Sequence, residues 1–577
     1  MTLTRRALTI AAGGAALLPR ASFSAADPYD LPMQGDVRII HQTDTHANAR
    51  PVQFREPSQN IGLGAAAGQP PHLVGTHFLD YYQMAPGTRA AHAFTFLEFE
   101  KLAQRFGPLG GFAHLKTVIE TLRAGAGPGR SLVLDGGDLC QGTGTANRTR
   151  GLAMIALGNM LGIDAMTGHW EFTYGEDGIA AIVKAFKGRF IAQNVFLSEE
   201  AGMLGKPAFD PKTGSVFEPY IIRAVGGYRL GIIGQAFPYV PIAHPRRFVP
   251  DWRFGIRVGN MQKIVDQLRE TQKVDVVLLL SHNGMAVDLK LATEVRGIDI
   301  ILGGHTHDAV PQPVIVKNAG GRTLVTNAGS AGKFVAVLDL RLGKRRLRDF
   351  SYRLLAVYSD LVRPDAAVEA EIAKWEAPDR EAEGEKLAEV ETLLYRRNNF
   401  YGSVDQVIMD ALREEMDAEI AFSPGFRWGN SFLTGSAFTM RDLLTETAIT
   451  YPVAFVQTMT GAAIKAMMED VCDNLFNPNP YYQQGGDMVR VGGMNYACAP
   501  ARPMGQRISD MVLEDGRPVE AARNYKTISW ASVDPPQDER PVAAVVAANL
   551  RRRKTIRIVR PSQVRLIGVD GNPGWAA

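Results

Sequence analysis

The stretch Ile298-Asp299-Ile300-Ile301-Leu302-Gly303-Gly304-His305-Thr306-His307-Asp308 is a short branched and leucine-bearing run, closed by two glycines and followed by two histidines and an aspartate. Its brevity and glycine stop predict a buried strand, with the polar residues in the loop at its C-terminal end. Alternate residues of an extended chain point the same way, so His305 and His307 are expected at one site. Three more segments repeat the arrangement. Val37-Arg38-Ile39-Ile40 precedes Asp44-Thr45-His46, Ser131-Leu132-Val133-Leu134 precedes Gly136-Gly137-Asp138, and residues 274–280 precede Ser281-His282-Asn283-Gly284. A fifth loop, Gly168-His169-Trp170-Glu171-Phe172, adds another imidazole. Strand C-termini are where open α/β sheets bind ligands. Alternating strand and helix patterns imply an α/β fold with a layered sheet core.

Asp44, His46, Asp138, His169, His282, His305 and His307 amount to two carboxylates and five imidazoles. That suffices for two metal ions sharing one bridging carboxylate, assigned to Asp138. Oxygen and imidazole donors suit Mn, Zn or Fe and exclude thiolate-held iron–sulfur centres. Paired ions make a bound hydroxide nucleophilic near neutral pH, which is hydrolytic chemistry. A single histidine after a strand, such as His282, is more often a loop or core residue than a ligand. Five such segments, each behind a predicted strand, make coincidence a poor explanation.

The order Asp-x-His, Gly-Asp, Gly-His-Trp-Glu, a later His and Gly-His-x-His resembles the metallophosphoesterase superfamily in its 5′-nucleotidase branch. The resemblance implies a layered αββα catalytic domain followed by a smaller α+β domain that covers the metal site. In that branch the fourth motif reads Gly-Asn-His-Glu, its Asn a metal ligand and its His the catalytic residue beside the leaving group. Here His169 and Trp170 stand at those positions. Imidazole keeps the ligand role, but indole neither gives nor takes a proton at physiological pH. A leaving group that is already a stable anion needs no such help.

Together with Gly234-Gln235-Ala236-Phe237-Pro238-Tyr239, residues 302–310 and residues 481–493, this substitution resembles the SoxB thiosulfohydrolase family of bacterial sulfur oxidation. The resemblance implies a metal-dependent hydrolase, an S-sulfosulfanyl-L-cysteine sulfohydrolase. It would release sulfate from a cysteine S-thiosulfonate by attack of a metal-bound hydroxide on the sulfonate sulfur. It also implies two divalent ions, Mn2+ first with Zn2+ or Fe as alternatives, and a SoxYZ-type carrier protein as partner. A periplasmic 5′-nucleotidase or other phosphoesterase is the alternative reading.

Catalytic roles fall to Asp138, His169, Trp170 and Arg427. Arg427, in Ser423-Pro424-Gly425-Phe426-Arg427-Trp428-Gly429, either grips the sulfonate with its planar guanidinium or forms an interdomain salt bridge. Arg490 either contacts the substrate arm or pairs with Asp487. Asn147 either reaches the substrate or lies on a solvated loop. Residues 139–148 depart from the family's Thr-Trp-Gln-Gly pattern, and Cys140 there reads as a small residue packed behind the metal loop.

At 577 residues, with 46% hydrophobic and 21% charged residues, the chain exceeds one ordinary core. The expected divisions are a catalytic domain over 36–361, a helical linker over 362–390 and a substrate domain over 391–577. Residues 51–87 interrupt the first domain, as a substrate-shaping insert or a surface excursion. A formal charge of +3 gives no case for nucleic acid, and Arg551-Arg552-Arg553-Lys554 reads as a solvated helix end. Residues 1–26, with Arg5-Arg6, an apolar stretch and Ser24-Ala25-Ala26, read as a twin-arginine-type export signal, which points to the periplasm. Of three cysteines, Cys472 and Cys498 are the plausible pair, with free thiols the preferred state.

Overall fold

The computed structural model describes residues 28–534, 540–559 and 561–576. The expected export signal therefore lies outside the described residues. Two six-stranded sheets form the centre of the first module. In the first sheet Val37–Gln42 lies parallel to Ser131–Asp135 and antiparallel to Phe334–Gly343, and Ser131–Asp135 continues parallel to Ala165–Met166. In the second, Val276–Ser281 lies parallel to both Tyr228–Gln235 and Ile300–Gly303.

Strand alternation sorts the side chains into layers. Ile39, Leu132 and Leu134 of the first sheet meet Leu278, Leu280, Ile300 and Leu302 of the second in one buried cluster. Their neighbours Ile40 and Val133 face outward, onto helices Phe112–Ala126 and Leu152–Leu161. Val277, Leu279 and Ile301 face the other way, onto helices Val258–Asp266 and Met285–Glu294. This is a helix–sheet–sheet–helix sandwich. Because the central strands of each sheet are parallel, their C-terminal loops emerge along a common edge.

The expected linker is helical from 366 to 383, as α-helices Ala366–Glu376 and Arg380–Glu383 joined by a 3-10 turn at Ala377–Asp379. Lys386–Val390 is instead a strand paired with Ala437–Thr439, so helix does not extend to residue 390. Its apolar residues supply the reason: Leu387, Ala388 and Val390 enter the core of the second module. That module holds a five-stranded sheet built on Asn524–Trp530, Val453–Thr460 and Ile420–Ser423. Helices Ser403–Met416 and Val542–Arg553 pack on one face, and helix Gly461–Phe476 on the other. No helix among the described residues is long and apolar enough to cross a membrane.

The insert at 51–87 is anchored to the second module. Gln59 bridges to Trp575, Asn60 N donates to Gly574 O and Ala576 N to Ser58 O. Asn572 Nδ2 donates to Gly62 O, and Ile61 N to Asn399 Oδ1. Cys472 and Cys498 are buried free thiols with sulfurs 3.7 Å apart.

Candidate metal centre

The five loops deliver their side chains to one buried place between the two sheets. Asp138, His169, His282 and His305 form one set, and Asp44, His46, Asp138 and His307 another, each with its potential ligand atoms within 4.8 Å of one another. Asp138 belongs to both, and either set could hold a metal ion. His305 and His307 do not point to a single set as alternation in an extended chain would have them do. Their φ angles are +71° and +59°, a left-handed turn that sends one ring to each. Asp44, His46 and Asp138 also have positive φ, at +51°, +45° and +56°. Five non-glycine residues held in this sparsely populated region mark a backbone strained to aim its side chains.

Asp138 Oδ2 is the hub. It lies 3.1 Å from His282 Nε2, 3.3 Å from His169 Nδ1 and 3.5 Å from His46 Nε2, while Oδ1 accepts from Trp170 N at 2.7 Å. His307 Nε2 lies 3.3 Å from Asp44 Oδ1. Burial opposes ionisation of Asp138, but His282, His169 and His46 overcome it and hold the carboxyl well below its usual range. Burial lowers the pKa of His46, to about 4, and also lowers those of His169 and His305. Neutral imidazole, the form that binds metal, is thereby favoured. For His282 burial is outweighed by Asp138 and Asp44, which raise it to about 10. His169 Nε2 and His307 Nδ1 are buried without a hydrogen-bond partner among the described residues. These two atoms point away from the carboxylates; what fits two divalent cations is the convergence of buried imidazole nitrogens and carboxylate oxygens on the shared Asp138.

Outer partners fix these rings. His282 donates from Nδ1 to Gly136 O at 2.6 Å, leaving Nε2 toward Asp138. His46 Nδ1 is 3.2 Å from Gln141 Oε1, and Gln141 in turn donates to Ala448 O of the second module. Glu171, wholly buried, accepts from the backbone N–H groups of His169 (2.9 Å), Leu139 (2.8 Å), Cys140 (3.2 Å) and Asp138 (3.3 Å). One carboxylate thus ties the 138 loop to the 169 loop.

A pocket of about 210 Å³ opens beside Asp138, His169, His305 and His307, walled by Trp170, Phe237, Phe426, Arg427, Trp428 and residues 484–487. Trp170 is almost fully buried. Its ring lies 4.9 Å from Trp428, 5.8 Å from Phe426 and 4.5 Å from His244, edge to face in each case, which wedges it against the second module.

Arg427 lines this pocket, fixed by Asp487 Oδ1 (3.3 Å from Nε) and Thr306 O (3.4 Å from Nη1). Its ion pair stays within the second module, and its contact with the first is to a backbone carbonyl. Arg490 is outside the pocket lining. It is 1% exposed and donates to Asn399 O, Met488 O and Asn398 O, with Asp487 3.3 Å away, a structural placement that matches its pairing alternative. Asn147 is also outside the lining, donating to Ile449 O at 3.3 Å. Cys140 packs in the first module's core, where burial pushes its thiol pKa far up. Glu171, Gln141, the indole of Trp428 and the hold of Asp487 on Arg427 are additions that the structure makes to the sequence expectations. Only Glu171 carried a local signal, as the closing residue of the Gly-His-Trp-Glu motif.

The 5′-nucleotidase C-terminal domain family matches residues 388–533. The sulfate thiohydrolase SoxB of Thermus thermophilus, solved with glycerol, superposes with a TM-score of 0.86 at 34% sequence identity, covering 94% of this chain and 98% of that one. A 5′-nucleotidase precursor, also from Thermus thermophilus, shares the fold with a TM-score of 0.71 at 22% identity, covering 92% and 99%. The rat 5′-nucleotidase is 30% identical over 284 residues, which are 46% of this chain and 47% of the rat protein. The chain thus spans about half the length of the mammalian relatives it matches.

Proposed function

The chain belongs to the SoxB family of the 5′-nucleotidase branch of metallophosphoesterases, and on that premise we propose that it releases sulfate from a cysteine S-thiosulfonate borne on a SoxYZ-type carrier protein. The observation that carries this reading is Trp170. It sits against the metal-ligand sets and lines the pocket, yet its indole offers no titratable proton to a departing group. A perthiolate leaves as a stable anion, whereas the alkoxide of a phosphomonoester does not.

Asp44, His46, Asp138 and His307 would hold one divalent ion, and Asp138, His169, His282 and His305 the other, with Mn2+ our first choice. When bound, such a pair supplies Lewis acidity and a low-pKa water. The chain's own residues do the rest. Arg427, steadied by Asp487 and Thr306 O, keeps its remaining N–H groups for a sulfonate oxygen. Trp170, Phe426 and Trp428 form an aromatic wall that excludes water around the sulfur. Glu171 holds the backbone of both ligand loops. The export-type N-terminus supports action in the periplasm.

The test is sulfate release from a carrier cysteine S-thiosulfonate, with AMP hydrolysis assayed in parallel on the same metal-loaded enzyme. Sulfate without phosphate is the expected result. Phosphate without sulfate would establish the 5′-nucleotidase reading instead.

A further inference from the structure

His305 lies where the two modules meet. Its Nε2 is 3.2 Å from Gln484 O. A backbone carbonyl can only accept, so Nε2 carries the proton and Nδ1 is the nitrogen left with a lone pair. Gly485, next in the chain, has φ +80°, and a Cβ there would overlap His305 Nε2 itself. Gly486 has nearly the same φ, +77°, but a Cβ there would meet only Gly425 O at 3.5 Å. Close approach is therefore demanded at 485 and not at 486. Asp487 is held by Arg397 at 3.1 Å and Arg427 at 3.3 Å. Both guanidinium groups also donate to Thr306 O, the carbonyl between the two histidines. The second module thus grips the 305–307 loop at one ring and at its backbone.

We propose that residues 484–487 are a positioning element for His305. Gln484 O fixes the ring's tautomer and direction, so the ion held by Asp138, His169, His282 and His305 depends on how the second module is seated. The neighbouring set with Asp44, His46 and His307 has no such contact with this carbonyl. The proposal rests on the dinuclear-metal reading above. A histidine ligand that loses its outer acceptor typically binds metal about 10- to 100-fold more weakly. Binding couplings are reciprocal, so the ion must in turn hold residues 484–487 in place.

The experiment titrates Mn2+ into metal-stripped, full-length wild type, Gly485→Ala and Gly486→Ala by calorimetry, with bound ions counted by elemental analysis. Wild type and Gly486→Ala, which shares the backbone strain without the overlap, should take up two ions. Gly485→Ala should keep one site unchanged and weaken the other about 10- to 100-fold. Amide hydrogen exchange on wild type, which needs no variant, should slow across residues 483–488 when Mn2+ is added. Two ions bound at wild-type affinity by Gly485→Ala, or exchange at 483–488 that ignores Mn2+ in wild type with two ions bound, would overturn the positioning role. A wild type that binds no Mn2+ would instead overturn the dinuclear reading. If Gly485→Ala does not fold, the wild-type exchange decides.

Discussion

His46 Nε2 and His307 Nε2 lie 3.0 Å apart, one imidazole from a loop of each sheet, with their rings tilted by 56°. Asp44 and Asp138 stand within 3.5 Å of the pair. Two buried nitrogens facing each other beside two carboxylates are best reconciled by a shared cation, which would join the sheets. Chelation should therefore lower the thermal midpoint, and added Mn2+ should restore it. An ion at 100 times its Kd adds about 3 kcal/mol. Differential scanning calorimetry with and without chelator measures this, and an unchanged midpoint would count against metal binding.

Glu171→Ala strips four backbone N–H groups of their common acceptor. Each buried donor left unpaired costs about 1–3 kcal/mol, so the variant should lose about 3 kcal/mol or more in urea unfolding. Glu171→Gln keeps an acceptor oxygen and should lose less. Turnover in both should fall further than KM changes, because the loops that move carry Asp138 and His169.

Trp170→His restores a proton donor at the position where phosphomonoesterases of this branch carry one. Hydrolysis of AMP should rise, by up to about 10²–10⁴-fold, the usual range for general acid–base catalysis. The lost packing on Trp428 and Phe426 should cost about 2–3 kcal/mol. Steady-state phosphate release measures the first effect and denaturant midpoints the second. No gain in phosphate release would remove the argument from the leaving group.

Glu446 predicts a pH dependence. Burial raises its carboxyl to about 7, and Arg396, 3.4 Å away, offsets only part of that. A raised carboxylate pKa means that the folded protein holds a proton the unfolded chain has released. This contribution is complete below the unfolded value near 4.5 and is lost as pH climbs through 7. Glu446→Gln should flatten that decline, by on the order of 2–3 kcal/mol between pH 5 and 7.5. Urea unfolding of both proteins at the two pH values measures the difference.

The metal-ligand residue types were readable because each follows the end of a strand by four residues or fewer, and local pattern determines strands well. The division of those seven residues into two sets was not readable. It depends on left-handed turns at His305 and His307 that no residue type announces. The outer partners were hidden for another reason. Gln141 meets Ala448 across 307 residues and His305 meets Gln484 across 179, and such meetings follow from how two modules dock. Arg427 shows the same limit. Its residue type suits an oxyanion, but only the docked geometry reveals Asp487 and Thr306 already holding two of its donors.

The ties between residues 58–62 and residues 572–576 also bear on how the chain is made. Asn572 and Gly62 are 510 positions apart. At about 5–20 residues per second, a ribosome that has finished the insert needs on the order of half a minute or more to deliver its partner. The sandwich can collect its own helices during that time, and Phe78 and Tyr82 of the insert with them, but residues 58–62 cannot complete their contacts. A nascent chain will therefore expose residues 58–62 to chaperones and proteases long after the sheets beneath them have closed.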